Sequence, residues 1–165
     1  MKVPAEFKKD PRLKTLEQLI LKNKVEEYQE EVNKIHSSRV ARFLLPNCSL
    51  LDLQKAAISD SSYRSRLVEL LITSRSFSAI LSSYLDKMDS YLLFKYPTLF
   101  EGLRFKNDRE MVVSKLLAKY RLVLDKANLL EENIEWVVED IDKKGYTLKL
   151  MLESIELATK REYVS

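Results

Sequence analysis

Basic and aromatic side chains crowd one stretch of the chain. Phe94-Lys95-Tyr96 leads through Phe100 to Arg104-Phe105-Lys106-Asn107-Asp108-Arg109, and Lys115, Lys119 and Arg121 follow. From Lys95 to Arg121 there are seven basic residues (Lys95, Arg104, Lys106, Arg109, Lys115, Lys119, Arg121) against three acidic ones (Glu101, Asp108, Glu110). The local charge of +4 exceeds the +3 of the whole 165-residue chain. Phosphates attract cations and unpaired bases stack on aromatic rings, so the pattern fits a site for single-stranded nucleic acid. Its contact residues would be Lys95, Tyr96, Arg104, Phe105, Lys106, Arg109, Lys115, Lys119 and Arg121. A plainer reading stands beside it, in which the aromatics close the end of a core and the cations face water.

Residues for bond-making chemistry are scarce. His36 is the only histidine and lies in a charged stretch, where it reads as a solvated or lightly packed side chain. Cys48, beside Pro46, reads as a small apolar side chain, and a single cysteine rules out an internal disulfide. There is no Gly-rich phosphate loop, no HExxH and no paired-cysteine pattern. Glu132, Glu135, Glu139 and Asp142 share one side of a helix and could hold a divalent cation. With no histidine among them, a solvated acidic face is the better reading. The expectation is a protein that is not an enzyme, with no catalytic residues, no metal and no cofactor.

The elements that must position the basic cluster are helices. Stepping from Val113 by four and three in turn reaches thirteen positions to Ile155, of which eleven are apolar. That heptad seam keeps one helix face against a partner. A second stripe, Leu116, Val123, Leu130, Val137 and Met151, runs beside it, so this helix should bury itself against more than one neighbour. Upstream, Tyr63, Leu67, Leu70, Ser74, Phe77, Leu81, Tyr84, Met88 and Tyr91 form a seam that is apolar at eight of nine positions. Two such helices joined near residues 96–107 predict an antiparallel helical hairpin. Only two glycines and four prolines occur, too few to punctuate a many-stranded sheet, so the fold class is all-α.

The rest follows in chain order. Asp10-Pro11 predicts a helix start, and Leu13, Leu16, Ile20, Val25, Tyr28, Val32 and Ile35 predict one helix running to about Leu45, stopped by Pro46. A short helix is expected from Ser49 to about Ile58. Ser59-Asp60-Ser61-Ser62 reads as a break and cap before the long seam. A short turn of helix is expected over residues 98–103, and Asn107-Asp108 as the cap of the last helix. Gly145 predicts a kink or short break within that helix. The organisation is read as an N-terminal helical arm over residues 1–48 and a hairpin domain over residues 49–165. Leu122, Leu129 and Trp136 share one outward heptad position, a candidate self-association strip. The bland alternative places them under the N-terminal helix. No apolar run approaches membrane-spanning length and no secretory leader is visible, so a soluble, intracellular, cytoplasmic protein is expected.

Three features resemble the UvsY recombination mediators of T-even-type bacteriophages. They are Arg104-Phe105-Lys106-Asn107-Asp108-Arg109-Glu110-Met111, the spacing of Leu116 and Leu124 in the apolar helix that follows, and Lys143-Lys144-Gly145-Tyr146-Thr147-Leu148-Lys149. The likeness covers about residues 104–156. It implies a small helical homo-oligomer in the cytoplasm of a phage-infected host. Such a protein binds single-stranded DNA and helps a RecA-like recombinase displace the single-strand-binding protein. Carried onto this chain, it implies phosphate contacts from Arg104, Lys106 and Arg109, base stacking by Phe105, and secondary contacts from Lys143, Lys144 and Lys149. The alternative is a helical viral structural, scaffolding or inhibitory protein that binds proteins and no nucleic acid.

Overall fold

The computed structural model describes Phe7, residues 9–43 and residues 50–162. Four α-helices account for nearly all of them: α1 (Pro11–Leu21), α2 (Val25–Phe43), α3 (Leu50–Lys95) and α4 (Lys106–Glu162). One 3-10 turn, Pro97–Phe100, lies between the last two. No strand occurs among the described residues. The fold is all-α, and α3 and α4 form the expected antiparallel hairpin. The chain divides into two compact units. Unit 1 is Met1–Val25 with Ser74–Leu129, and unit 2 is Glu26–Thr73 with Leu130–Ser165.

Unit 1 is built on α1, the second half of α3 and the first half of α4. Asp10 caps α1 as its spacing before Pro11 predicts, its Oδ1 accepting from the Arg12 N–H at 2.8 Å. Leu13 and Leu16 of α1 then join Leu81, Leu85, Met88 and Leu92 of α3 and Val113, Leu117 and Tyr120 of α4 in one core. Ser74 donates to the Ala127 carbonyl and Arg121 to Asp89, so positions on α4 fall as those on α3 rise. The connection turns on Gly102, whose φ of 84° is a left-handed conformation that costs other residues more. Leu99 and Phe100 of the 3-10 turn are buried beneath it.

Unit 2 is built on α2, the first half of α3 and the second half of α4. Val32, Ile35, Leu67, Leu70, Leu130, Ile134, Val137, Ile141 and Leu148 are its buried apolar residues. The buried Arg39 of α2 donates to Asp60 of α3 at 3.0 Å and to Asp140 of α4 at 2.7 Å, joining all three helices. On the surface, Arg64 pairs with Asp142 and Arg66 with Glu31. The second stripe of α4 acquires its meaning here. Leu130 and Val137 are fully buried in unit 2, whereas Leu116 and Val123 are half-buried in unit 1.

Four sequence expectations need correction. The helix expected from Pro11 to Leu45 is two helices, because α1 ends at Leu21 and α2 begins at Val25. The cause is legible: Ile20 to Val25 is a step of five, which no helical stripe accommodates. The break expected at residues 59–62 is absent, since α3 runs through it. There the Ser59 hydroxyl donates back to the Lys55 carbonyl, and the Ser65 hydroxyl to Ser61, while Asp60 is buried against Arg39. The break offered at Gly145 does not occur, since α4 runs from Lys106 to Glu162 through it. Finally, α4 starts at Lys106, with the Arg109 N–H reaching the Phe105 carbonyl, so Asn107 and Asp108 are in its first turn and do not cap it. The expected stop at Leu45-Pro46-Asn47, and Cys48 and Ser49, lie outside the described residues.

Candidate nucleic-acid interface

All nine residues of the predicted basic-aromatic site belong to unit 1, and the fold sorts them into three groups. The first surrounds the start of α4. Arg104, Lys106 and Arg109 line an open cleft of about 780 Å³ with Leu93, Pro97, Phe100 and Leu103. Glu101 and Glu110 stand at the same cleft. Arg109 is steadied by its Nε, which donates to the Leu103 carbonyl at 3.1 Å, leaving the rest of the guanidinium to the opening. Lys106 makes only a loose pair with Glu110 at 3.5 Å, and Arg104 has no ion pair among the described residues. Phe105, between Arg104 and Lys106 in sequence, is 72% exposed. Phe94, at the last turn of α3, is 89% exposed.

The second group is held by Asp10. Its Oδ2 accepts from the Tyr96 hydroxyl at 2.7 Å, the Tyr91 hydroxyl at 2.8 Å and the Lys95 ammonium at 3.1 Å. Burial opposes ionisation of this carboxyl. The donors from Tyr96, Tyr91, the Arg12 N–H and Lys95 outweigh it and hold the pKa far below the usual aspartate range. Lys95 is correspondingly raised, by its hydrogen bond to Tyr91 and then by Asp10. Burial, then the bond to Asp10, pushes the Tyr96 phenol up to about 12. Tyr96 itself is only 7% exposed and packs edge-on against Phe7 at 5.7 Å. Its ring belongs to the core, as the plainer reading of the sequence allows, and is not offered to a base. Lys95 shares a smaller cleft with Asp10, Pro97 and Thr98, so through Pro97 it borders the cleft of Arg104.

The third group lies farther along α4. Lys119 donates to Glu17 at 2.9 Å, and the Tyr120 hydroxyl reaches the same oxygen at 3.2 Å. The hydrogen bond and the charge of Lys119 lower the Glu17 pKa, and the same bond raises that of Lys119. Arg121 is paired with Asp89 at 2.7 Å. Lys115 is exposed and has no ion pair among the described residues. At about 100° per residue, Lys115 and Lys119 point roughly away from Lys106, so the nine residues do not make one continuous patch.

The other candidates resolve as follows. Leu122 and Leu129 in unit 1 are 57% and 56% exposed, and Trp136 in unit 2 is 57% exposed, with the His36 ring tilted against it at 4.8 Å between centroids. Of the acidic group, Asp142 is engaged by Arg64 and Glu139 by Lys143. Among the described residues no three His, Cys, Asp or Glu side chains gather as a metal site, and no helix is long and apolar enough to cross a membrane. Lys143, Lys144 and Lys149 each pair with a carboxylate four residues away. Sequence reasoning missed Asp10 and Glu17 as partners of the lysines, because the residues they meet are 85 and 102 positions away.

Comparisons were made with protein-family models, with characterised proteins and with solved structures. None gave a match.

Proposed function

We propose that this chain is a non-enzymatic binder of single-stranded DNA, with its primary contacts at the start of α4. The reading is supported by three cations, Arg104, Lys106 and Arg109, at one open cleft, with the exposed Phe105 between the first two in sequence. Solvated rings and cations at one end of a folded unit suit splayed bases and their phosphates. Duplex DNA, whose bases are stacked away, should bind less well. The resemblance to the UvsY mediators extends the reading: the protein would hold a strand in a form on which a RecA-like recombinase nucleates, against the single-strand-binding protein. No bond is made or broken in this role.

The test is a titration of a labelled oligothymidine against salt. Replacing Arg104 and Lys106 together by Ala should weaken binding and flatten the salt slope by about one to two units, the value for two lost phosphate contacts on a single strand. A wild type that binds no better than a neutral control protein at low salt removes the proposal. A second reading, an assembly protein without nucleic acid, is favoured by the exposure of Leu122, Leu129 and Trp136. It expects a homo-oligomer, seen by light scattering, that Trp136→Glu dissociates and oligonucleotide leaves unchanged.

A further inference from the structure

Resting on the single-strand reading, we infer that α1 is a built-in competitor for nucleic acid. Its two carboxylates, Asp10 and Glu17, occupy Lys95 and Lys119 in the free protein, and a bound strand gains Lys119 only by displacing Glu17. From its cap to its last residue, α1 carries no other acidic side chain. Each of the two meets a lysine of the basic stretch, at 3.1 Å and 2.9 Å. They stand seven residues apart, about 10 Å along the helix. A helix whose every acid is spent on a candidate phosphate contact reduces the charge that the surface offers to an anionic polymer.

The two contacts differ in grip. Asp10 is 2% exposed and holds Tyr91 and Tyr96 as well as Lys95, while Leu13 and Leu16 bury the face of α1 behind it. That end is an anchor. At the other end the Lys119 and Glu17 side chains are 65% and 51% exposed. Pairs so open to solvent shift an equilibrium by only about 1.4- to 5-fold. A phosphate can therefore take Lys119 from Glu17 without α1 leaving its seat. Glu17 lowers affinity and removes one ion from the salt dependence, and both effects disappear with its charge.

The experiment compares the full-length wild type with Glu17→Gln, Lys119→Ala and the double variant, titrating a labelled oligothymidine over a range of salt. Glu69→Gln, which removes an exposed carboxylate of unit 2, controls for net charge. Glu17→Gln should bind about two- to fivefold tighter than wild type, with a salt slope steeper by about 0.7. Adding Lys119→Ala should abolish that gain. Lys119→Ala alone should weaken binding, but by clearly less than Arg104→Ala does, because Glu17 already offsets part of its charge. The inference is overturned if the wild type binds and Glu17→Gln matches it in affinity and slope. Equal gains from Glu17→Gln and Glu69→Gln overturn it too, as does a loss from Lys119→Ala as large as that from Arg104→Ala. If neither wild type nor Glu17→Gln binds, the single-strand reading itself falls, and this inference with it.

Discussion

Replacing Asp10 by Ala tests the structural logic of unit 1 most directly. The carboxylate caps α1, and losing such a cap costs about 1 kcal/mol. It is also the acceptor for the buried Tyr96 hydroxyl and the half-buried Tyr91 hydroxyl. A buried donor stripped of its acceptor costs about 1–3 kcal/mol, and Tyr91, nearer water, less. Lys95 is largely solvated and contributes little more. The expected loss at pH 7 is about 2–4 kcal/mol. The loss depends on pH with a defined sign. The folded-state pKa of Asp10 lies below the ordinary 3.8, so its stabilisation is complete above about pH 5 and fades as pH falls towards the folded value. Between pH 7 and pH 3 the wild type should lose about 1 kcal/mol through this group, and the Ala variant nothing, so the gap between them narrows by that amount. Urea unfolding followed by far-UV circular dichroism measures both quantities, and amide hydrogen exchange assigns the loss to unit 1. A variant within about 0.5 kcal/mol of wild type at pH 7, or a gap that widens in acid, would refute the reasoning.

Arg39→Ala should cost unit 2 about 3–5 kcal/mol, since it leaves Asp60 and Asp140 without the buried cation that joins three helices; Trp136 fluorescence during denaturation reports it. Gly145→Ala should raise stability by about 1 kcal/mol, because the position is helical and an added Cβ meets nothing within 4 Å. Gly102→Ala has the same free space but should cost about 1–2 kcal/mol, because its φ is left-handed; the two variants compared by thermal unfolding separate space from backbone strain. Phe105→Ala should leave the melting temperature unchanged and weaken oligothymidine binding by about 5- to 150-fold, the worth of one stacked base.

The helices were legible wherever burial repeats with the period of a helix. The seams through Leu67, Leu70, Leu81 and Met88 and through Val113, Leu117, Ile134 and Ile141 are buried as their spacing requires. Asp10-Pro11 announced its cap in the same local way. The local signals misled where a distant partner decided the outcome. Asp60 among serines looks like a helix stop by sequence and is a buried partner of Arg39, 21 positions away. Gly145 reads as a kink or short break by sequence and is an exposed position in a helix that continues past it.

The same division runs through the candidate site. Sequence alone determined that cations and rings concentrate at the bend of a helical hairpin, because heptads and the Pro97–Gly102 connection are local properties of the chain. Only the tertiary structure decided which of them remain open. It buried Tyr96, spent Lys95 on Asp10, Lys119 on Glu17 and Arg121 on Asp89, left Arg104, Lys106 and Arg109 at the cleft, and left Phe105 exposed. The physical reason is that a charge is neutralised by whatever stands within a few ångströms of it, and folding brought those carboxylates in from 32 to 102 residues away.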